Sequence, residues 1–280
     1  MERDLKPAWL TGRSVVVIGA ASGIGAATAR ALVRAGAQVA LADVAELTLP
    51  GSERVLGMRV DVTRADTLEA LRDGAMGTFG SIDAVVNCAG VIVPGPVDRL
   101  PIEAVHRQID VNFLGTVLVT RPFLPYFRER GRGHLIHVGS LGGIVPLAGE
   151  ATYSATKFAV RGFCLALALE LKGTGVSVSV ICPDSTDTAQ LAIEATQHGS
   201  PLSFLSAPLD AAAVAAAIVD TIRRPRLEVS VPGSRGLPAK LLAWSPALLT
   251  RLYPWLERFG RQRRAAFRGA LRARAATRAA

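Results

Sequence analysis

From residue 14 onward the chain alternates short β-branched runs with longer stretches whose apolar positions recur at helical spacing. Residues 14–18, Ser-Val-Val-Val-Ile, read as a strand running into glycine, and residues 25–34, rich in Ala, Leu and Arg, read as the helix after it. The same alternation predicts strands at 38–42, 55–60, 82–87, 135–138, 176–181 and 227–231, and helices at 65–78, 102–118, 151–171 and 211–223. These strands are apolar almost throughout, the pattern of a sheet covered on both faces. Strand and helix in alternation predict an α/β fold built on a doubly wound parallel sheet with right-handed crossovers. The pattern breaks at Pro232-Gly233-Ser234-Arg235-Gly236. Beyond it, residues 237–280 are rich in Leu, Trp and Arg, contain Pro238, Pro246 and Pro254, and carry no strand signal. They read as a helical C-terminal extension of one domain spanning 1–236.

A chain of 280 residues and 29.4 kDa, half of them apolar, can bury a large core without disulfide or metal staples. Cys88, Cys164 and Cys182 are odd in number, far apart and set in apolar runs, which reads as buried, reduced thiols rather than a disulfide framework or a zinc site. The first seven residues, Met-Glu-Arg-Asp-Leu-Lys-Pro, lack the apolar core of a secretory signal, so a cytoplasmic protein is expected. Mean hydropathy is high, at +0.32. The longest strictly apolar run, residues 211–219, is nonetheless half of the roughly 18 residues a membrane span needs, and no transmembrane helix is expected.

Charge is placed unevenly. Residues 240–280 hold ten Lys and Arg against one acid, Glu257, which equals the whole net charge of +9. Of the 32 basic residues 28 are Arg, so part of this reflects a chain-wide preference for arginine.

Chemistry enters at the first strand-to-helix junction, where Gly19, Gly23 and Gly25 form G-x3-G-x-G. Glycines there remove the Cβ atoms that would keep a phosphate from a helix N-terminus, whose free N–H groups and dipole attract anions; a plain tight turn would use them too. Asp43 closes the second strand, where a carboxylate can accept from both ribose hydroxyls and repel a 2′-phosphate, favouring NAD over NADP. Tyr153 and Lys157 stand four apart on a predicted helix and so share a face. The ammonium, with the charge of an oxidised nicotinamide, is expected to lower the phenol pKa toward the range for proton transfer. Ser140 ends a strand, where α/β sheets place ligands, and can hold a carbonyl or hydroxyl oxygen beside Tyr153.

Gly19, Gly23 and Gly25, then Asp61-Val62, Asn87-Cys88-Ala89-Gly90, Asn112, Ser140 and Tyr153-x3-Lys157 occur in the order and at the spacings of the classical short-chain dehydrogenases/reductases, which residues 11–232 resemble. The resemblance implies a Rossmann-type sheet of about seven strands, assembled as a homodimer or homotetramer. It implies that Tyr153 is the general acid/base, that Lys157 lowers its pKa and binds the nicotinamide ribose, that Ser140 positions the substrate oxygen, and that Asn112 holds a relay water. Gly19, Ser22, Gly23, Ile24 and Gly25 would line the pyrophosphate, Asp43 the adenosine ribose, Asp61 and Val62 the adenine. Asn87, Ala89, Gly90 and Pro183 would form the cofactor wall, with Thr188 near the nicotinamide carboxamide. Three positions depart from the family's pattern: Ile18 replaces a threonine before the glycine turn, Cys88 replaces a second asparagine, and Asp184 replaces the glycine of a Pro-Gly pair. Asp184 is expected to point to solvent.

The resemblance puts a substrate lid at about 187–209, and Leu191, Ile193, Leu202, Phe204 and Leu205 there suggest an apolar, lipid- or steroid-like alcohol or ketone, though a lid packed on the core would look alike. The function implied is an NAD(H)-dependent oxidoreductase interconverting a secondary alcohol and a ketone. Two alternatives stand beside it: a carrier-linked 3-oxoacyl reductase using NADPH, and a non-catalytic dinucleotide-sensing scaffold tethered to a membrane. His106, His134, His137 and His198 form no metal-binding spacing, and His134 and His137 are read as flanking a strand. Residues 128–132, Arg-Glu-Arg-Gly-Arg, read as the solvated end of a helix and its turn. In the extension, leucines and tryptophans interleave with and then give way to arginines. It can pack on its own domain or a sister subunit, or lie peripherally on an anionic membrane at its inner face; nucleic acid is not expected, since no aromatic stacking positions accompany the last arginines.

Overall fold

Along β1 (Ser14–Ile18), Val15 and Val17 face one side of a sheet and Val16 and Ile18 the other, and both sides are buried. The computed structural model describes residues 10–48, 53–197 and 199–279, with side chains to residue 274; the segment 1–7 and His198 lie outside the described residues. After β1 follow α1 (Gly23–Arg34), β2 (Gln38–Asp43), β3 (Val55–Arg59), α2 (Ala65–Phe79), β4 (Ala84–Asn87), α3 (Ile102–Gln108), α4 (Gly115–Arg130), β5 (Gly133–Val138), α5 (Ala151–Glu170), β6 (Val176–Pro183), α6 (Ala189–Thr196), α7 (Ala211–Arg223), β7 (Glu228–Val231), α8 (Gly233–Ala243) and α9 (Pro246–Ala279). The strands form one parallel sheet in the order β3-β2-β1-β4-β5-β6-β7. The expected doubly wound fold is present: α1 and α7 cover one face, and α2, α4 and α5 the other.

The sheet also explains where the local reading fell short. The helix expected to stop at 118 passes through a π-helical turn, Ile109–Leu114, and runs on as α4 through Pro122 and Pro125. Val119, Phe123 and Phe127, at helical spacing, are fully buried on the sheet, and that burial outweighs the intrinsic cost of the prolines. β5 begins at Gly133, earlier than expected, so His134 joins His137 within the strand and neither flanks it. Both rings are buried, His134 Nε2 against Ser179 Oγ at 2.8 Å and His137 Nε2 against Thr120 Oγ1 at 3.2 Å, and burial pushes each pKa down to about 4.

The strand order reverses between β1 and β4, where α/β sheets open a crevice at their C-terminal ends. Pairing of Ile18 with Asn87 sets the glycine turn beside residues 88–90. Residues 237–279 supply the second half of α8, the short link 244–245 and all of α9. α9 packs on the segment before α7: Phe267 stacks on Phe204, and Arg263 Nη1 donates to Leu205 O at 2.7 Å. Among the described residues no helix is long and apolar enough to cross a membrane.

Candidate active site

The C-terminal ends of β1, β4, β5 and β6 open into one cavity of about 1380 Å³ that runs from the glycine turn to α6 and α8. That exceeds the space a single small ligand needs and is enough for a dinucleotide and a substrate end to end. At one end, α1 starts at Gly23 and the Ser22 side chain makes no capping bond, leaving first-turn N–H groups facing the cavity. A Cβ on Gly19 would come within 2.7 Å of Ala89 N, and one on Gly25 within 1.9 Å of Gly19 O, so the turn closes only with glycine. Ile24 packs into the core under this turn and also lines the cavity.

Asp43 sits beside it and serves the turn as well: its carboxylate accepts from Ala21 N at 2.9 Å and Ala45 N at 3.0 Å. The Asp61 carboxylate accepts from Thr63 N and Oγ1 at 2.9 and 2.7 Å, and Val62 lies next to it on the wall. Asn87 Oδ1 accepts from Ala89 N at 3.1 Å, which fixes the bend after β4. Gly90 lies against Lys157 Nζ and Asn112 Oδ1, which would be in ordinary contact with a Cβ there, at 3.4 and 3.5 Å. Thr188 Cγ2 lies 3.2 Å from where a Cβ on Gly23 would be, so α6 begins against the glycine turn, and Pro183 lines the same stretch.

At the middle of the cavity Ser140, Tyr153 and Lys157 meet. Lys157 is one turn from Tyr153 on α5, its Nζ 5.7 Å from the Tyr153 ring centre, and it donates to Val138 O at 3.0 Å. Burial lowers the ammonium pKa to about 8. Asn112, carried by the π-helical turn, donates through Nδ2 to Val91 O at 2.9 Å and Thr156 Oγ1 at 3.1 Å and accepts from Val91 N at 2.8 Å. It thereby ties the wall at residue 91 to α5. Ser140 Oγ accepts from Gly142 N at 2.9 Å, and its hydroxyl lies near enough to the Tyr153 phenol to favour the phenolate.

The phenol itself differs from expectation. Burial holds the Tyr153 pKa above its ordinary value; the Glu194 and Glu150 charges push the same way, against hydrogen bonds from Gln190 and Ser140. Lys157 does not by itself reverse this, because its ammonium is engaged with Val138 O and lies beside the ring rather than on the oxygen.

Three groups that sequence reasoning passed over surround that phenol. Gln190 Nε2 donates to Tyr153 Oη at 3.2 Å, and Glu194 lies one turn along α6, near Gln190 and Ser203. Glu150, three residues before Tyr153, accepts from Ser200 N at 2.6 Å. Burial pushes both carboxyl pKa values up, and the Glu194 charge raises that of Glu150 further. The i,i+4 spacing of Gln190 and Glu194 was the available signal, but it points at Tyr153 only once α6 is folded over the cavity.

A family model for the short chain dehydrogenase matches residues 13–198. The chain belongs to the short-chain dehydrogenase/reductase family. It is thus a dehydrogenase acting on CH–OH groups with NAD(P). This short-chain dehydrogenase/reductase is 43% identical over 191 residues to the 1-deoxy-11-beta-hydroxypentalenate dehydrogenase of Streptomyces exfoliatus, covering 64% of this chain and 69% of that one. It is 30% identical over 260 residues to the ketoacyl reductase HetN of a Nostoc species, covering 88% and 90%. A short-chain dehydrogenase/reductase from Burkholderia phymatum in complex with NAD superposes with a TM-score of 0.74 at 25% identity, over 83% of this chain and 93% of that one.

Within that family frame the three departures acquire neighbours. Ile18 is buried in the sheet core. Cys88 is half-buried near Thr28 of α1, and burial pushes its thiol up to about 12; all three cysteines are free, with Cys164 and Cys182 buried. Asp184 does not point to solvent: it pairs with Arg235 of α8 and accepts from Ser206 Oγ at 3.2 Å. The side chain added at that position joins the start of α8 to the end of the strand that carries the site. Of the lid residues singled out, Leu191, Ile193, Leu202 and Leu205 line the cavity, whereas Phe204 turns away into a cluster with Phe267.

Proposed function

We propose that this enzyme uses NAD(H) to interconvert a secondary alcohol and a ketone on an apolar substrate. The observation that carries the reading is the Tyr153 phenol, buried at the centre of the cavity between Ser140 and Gln190 with the Lys157 ammonium on the next turn. The fit of a dinucleotide is supported by the uncapped start of α1 and by glycines whose Cβ atoms would fill the cradle. Bound there, the nicotinamide supplies the hydride acceptor or donor. In oxidation Tyr153 takes the proton of the substrate hydroxyl while Ser140 holds the oxygen; reduction reverses both. Lys157 holds the nicotinamide ribose and favours the phenolate, and Asn112 holds a water between Lys157 and solvent. Ser22, Gly23 and Ile24 hold the pyrophosphate, Asp61 and Val62 the adenine, Asn87, Ala89, Gly90, Pro183 and Thr188 the nicotinamide side.

Leu141, Val145, Leu191, Leu202, Leu242 and Leu256 around the far half of the cavity support an apolar substrate. So do relatives named for a hydroxypentalenate and, at 37% identity over 188 residues, for a cis-4-hydroxycyclohexanecarboxylate in Sinomonas cyclohexanicum, a match covering 64% of this chain and 76% of that one. Residues 187–209 act as its lid, 1–236 as the catalytic domain and 237–280 as an extension. Exposed Ile109, Leu114, Phe158 and Leu169 support assembly into a homodimer or homotetramer, and the three free cysteines fit a cytoplasmic enzyme.

Tyr153→Phe is expected to lower turnover at least about a hundredfold while NADH affinity stays within a few-fold; turnover at the wild-type rate rejects the assignment. The second reading, a carrier-linked 3-oxoacyl reductase using NADPH, draws on the ketoacyl reductase relative. Titration of both dinucleotides against Asp43→Ala separates the two. Because Asp43 also braces the glycine turn, the variant weakens both dinucleotides, and the expected result is a shift of the NADH-to-NADPH affinity ratio toward NADPH. An unchanged ratio counts against ribose recognition by Asp43.

A further inference from the structure

Two apolar stripes on the C-terminal helices face away from the protein. On α8 the stripe is Leu237, Leu241 and Trp244, 65%, 58% and 89% exposed at positions i, i+4 and i+7. On α9 it is Leu248, Leu252, Trp255 and Phe259, 39–62% exposed at i, i+4, i+7 and i+11, with the Trp255 and Phe259 ring centres 5.3 Å apart. Each stripe lies beside a second one that is already used. On α8, Ala239 and Ala243 pack on the core. On α9, Leu249 is buried, a Cβ on Gly260 would lie 2.0 Å from Pro201 O, and Phe267 stacks on Phe204. The helices are therefore held in place by one face while the other, with two of the chain's three tryptophans, stays uncovered.

We propose that this outward face of α8 and α9 docks on an anionic lipid surface and that an apolar substrate passes from the bilayer into the cavity beside it. Charge decides the occupant. Arg251 and Arg258 are exposed one turn on either side of Trp255, and neither makes an ion pair among the described residues. The one acid of the extension, Glu257, is paired with Arg261 at 2.9 Å. An apolar stripe with tryptophan at its centre and arginine at its margin is suited to the headgroup boundary of an anionic leaflet. A second copy of the chain would bring a surface of the same sign against this one, at +9 per extension. Leu242 and Leu256 of the same two helices line the cavity, so the helices that carry the outward face also border the substrate end of the site. This delivery step rests on the apolar-substrate reading; the docking does not.

Flotation of the full-length enzyme with phosphatidylcholine vesicles, and with vesicles that also contain phosphatidylglycerol, tests it. The expected result is binding at least roughly tenfold stronger to the anionic vesicles. It should be lost in Trp255→Ser/Phe259→Ser with thermal melting unchanged. Arg251→Glu/Arg258→Glu, which leaves every apolar contact in place, should remove the preference for anionic lipid. No flotation, equal flotation with both vesicles, or flotation unchanged in the variants overturns the proposal. Self-association of the wild type that Trp255→Ser/Phe259→Ser abolishes, without vesicle binding, overturns it in favour of a second copy. Flotation needs no substrate, so its failure leaves the apolar-substrate reading standing, and turnover of polar alcohols alone by an enzyme that still floats rejects only that reading.

Discussion

At the scale of residues, the environment of Tyr153 sets when its proton can move. Burial and the Glu194 and Glu150 charges favour the neutral phenol, while donors on the oxygen from Gln190 and Ser140 favour the phenolate. In the proposed placement, the charge of an oxidised nicotinamide would act with the second set and couple phenolate formation to cofactor binding. Glu194→Gln removes the negative charge that the carboxylate carries above its raised pKa and keeps a side chain of the same size beside Gln190 and Ser203. The phenol pKa should fall, and the acid limb of the oxidation kcat/KM profile should move to lower pH by about half a unit to one unit. A profile that does not move would show that the Glu194 charge does not reach the phenol. Tyr153, Lys157 and Ser140 were legible in the sequence because their spacing is local or their motif specific. Gln190, Glu194 and Glu150 were not, because an amide and two carboxyls carry no signal until the fold buries them.

At the scale of elements, the proposed lid, residues 187–209, is held from behind. α9 crosses it with Gly260 against Pro201, Phe267 on Phe204, and Arg274 paired with Asp187 at 2.8 Å. Gly260→Val puts a branched side chain where a Cβ already meets Pro201 O, so α9 and the lid must separate. The expected outcome is a several-fold rise in substrate KM with NADH affinity unchanged, measured by steady-state kinetics beside a dinucleotide titration; an equal loss of both would place the effect in the whole domain. The periodic pattern gave α1, α2, α5 and α7 to within a few residues. It ended α4 early, because local propensity weighs Pro122 and Pro125, whereas the folded chain weighs three side chains fully buried on the sheet. It left α6 undivided from its loop, since eight residues are too few to show a period.

At the scale of the whole molecule, the sheet buries two histidines as neutral rings. Their folded pKa of about 4 lies below the ordinary 6.5, so the unfolded chain binds protons first. The stability they leave intact above pH 6.5 is lost as pH falls toward 4, on the order of 3 kcal/mol per ring. Glu150 and Glu194 act in the opposite sense, since raised carboxyl pKa values make the folded state the better proton acceptor. Comparing His134→Gln/His137→Gln with the wild type isolates the first effect: the variant's melting temperature relative to wild type should rise between pH 6.5 and 4, and a constant difference would refute it. The sequence by itself determined the doubly wound sheet, the glycine turn and the order of Ser140, Tyr153 and Lys157, because period, turn chemistry and helical spacing are local properties of the chain. Only the tertiary structure decided that Asp184 pairs with Arg235, that acids sit beside the phenol, and that α9 backs the lid while one of its faces stays bare. Those depend on which surfaces meet across long sequence separations, and such pairings are fixed by packing rather than by any local pattern.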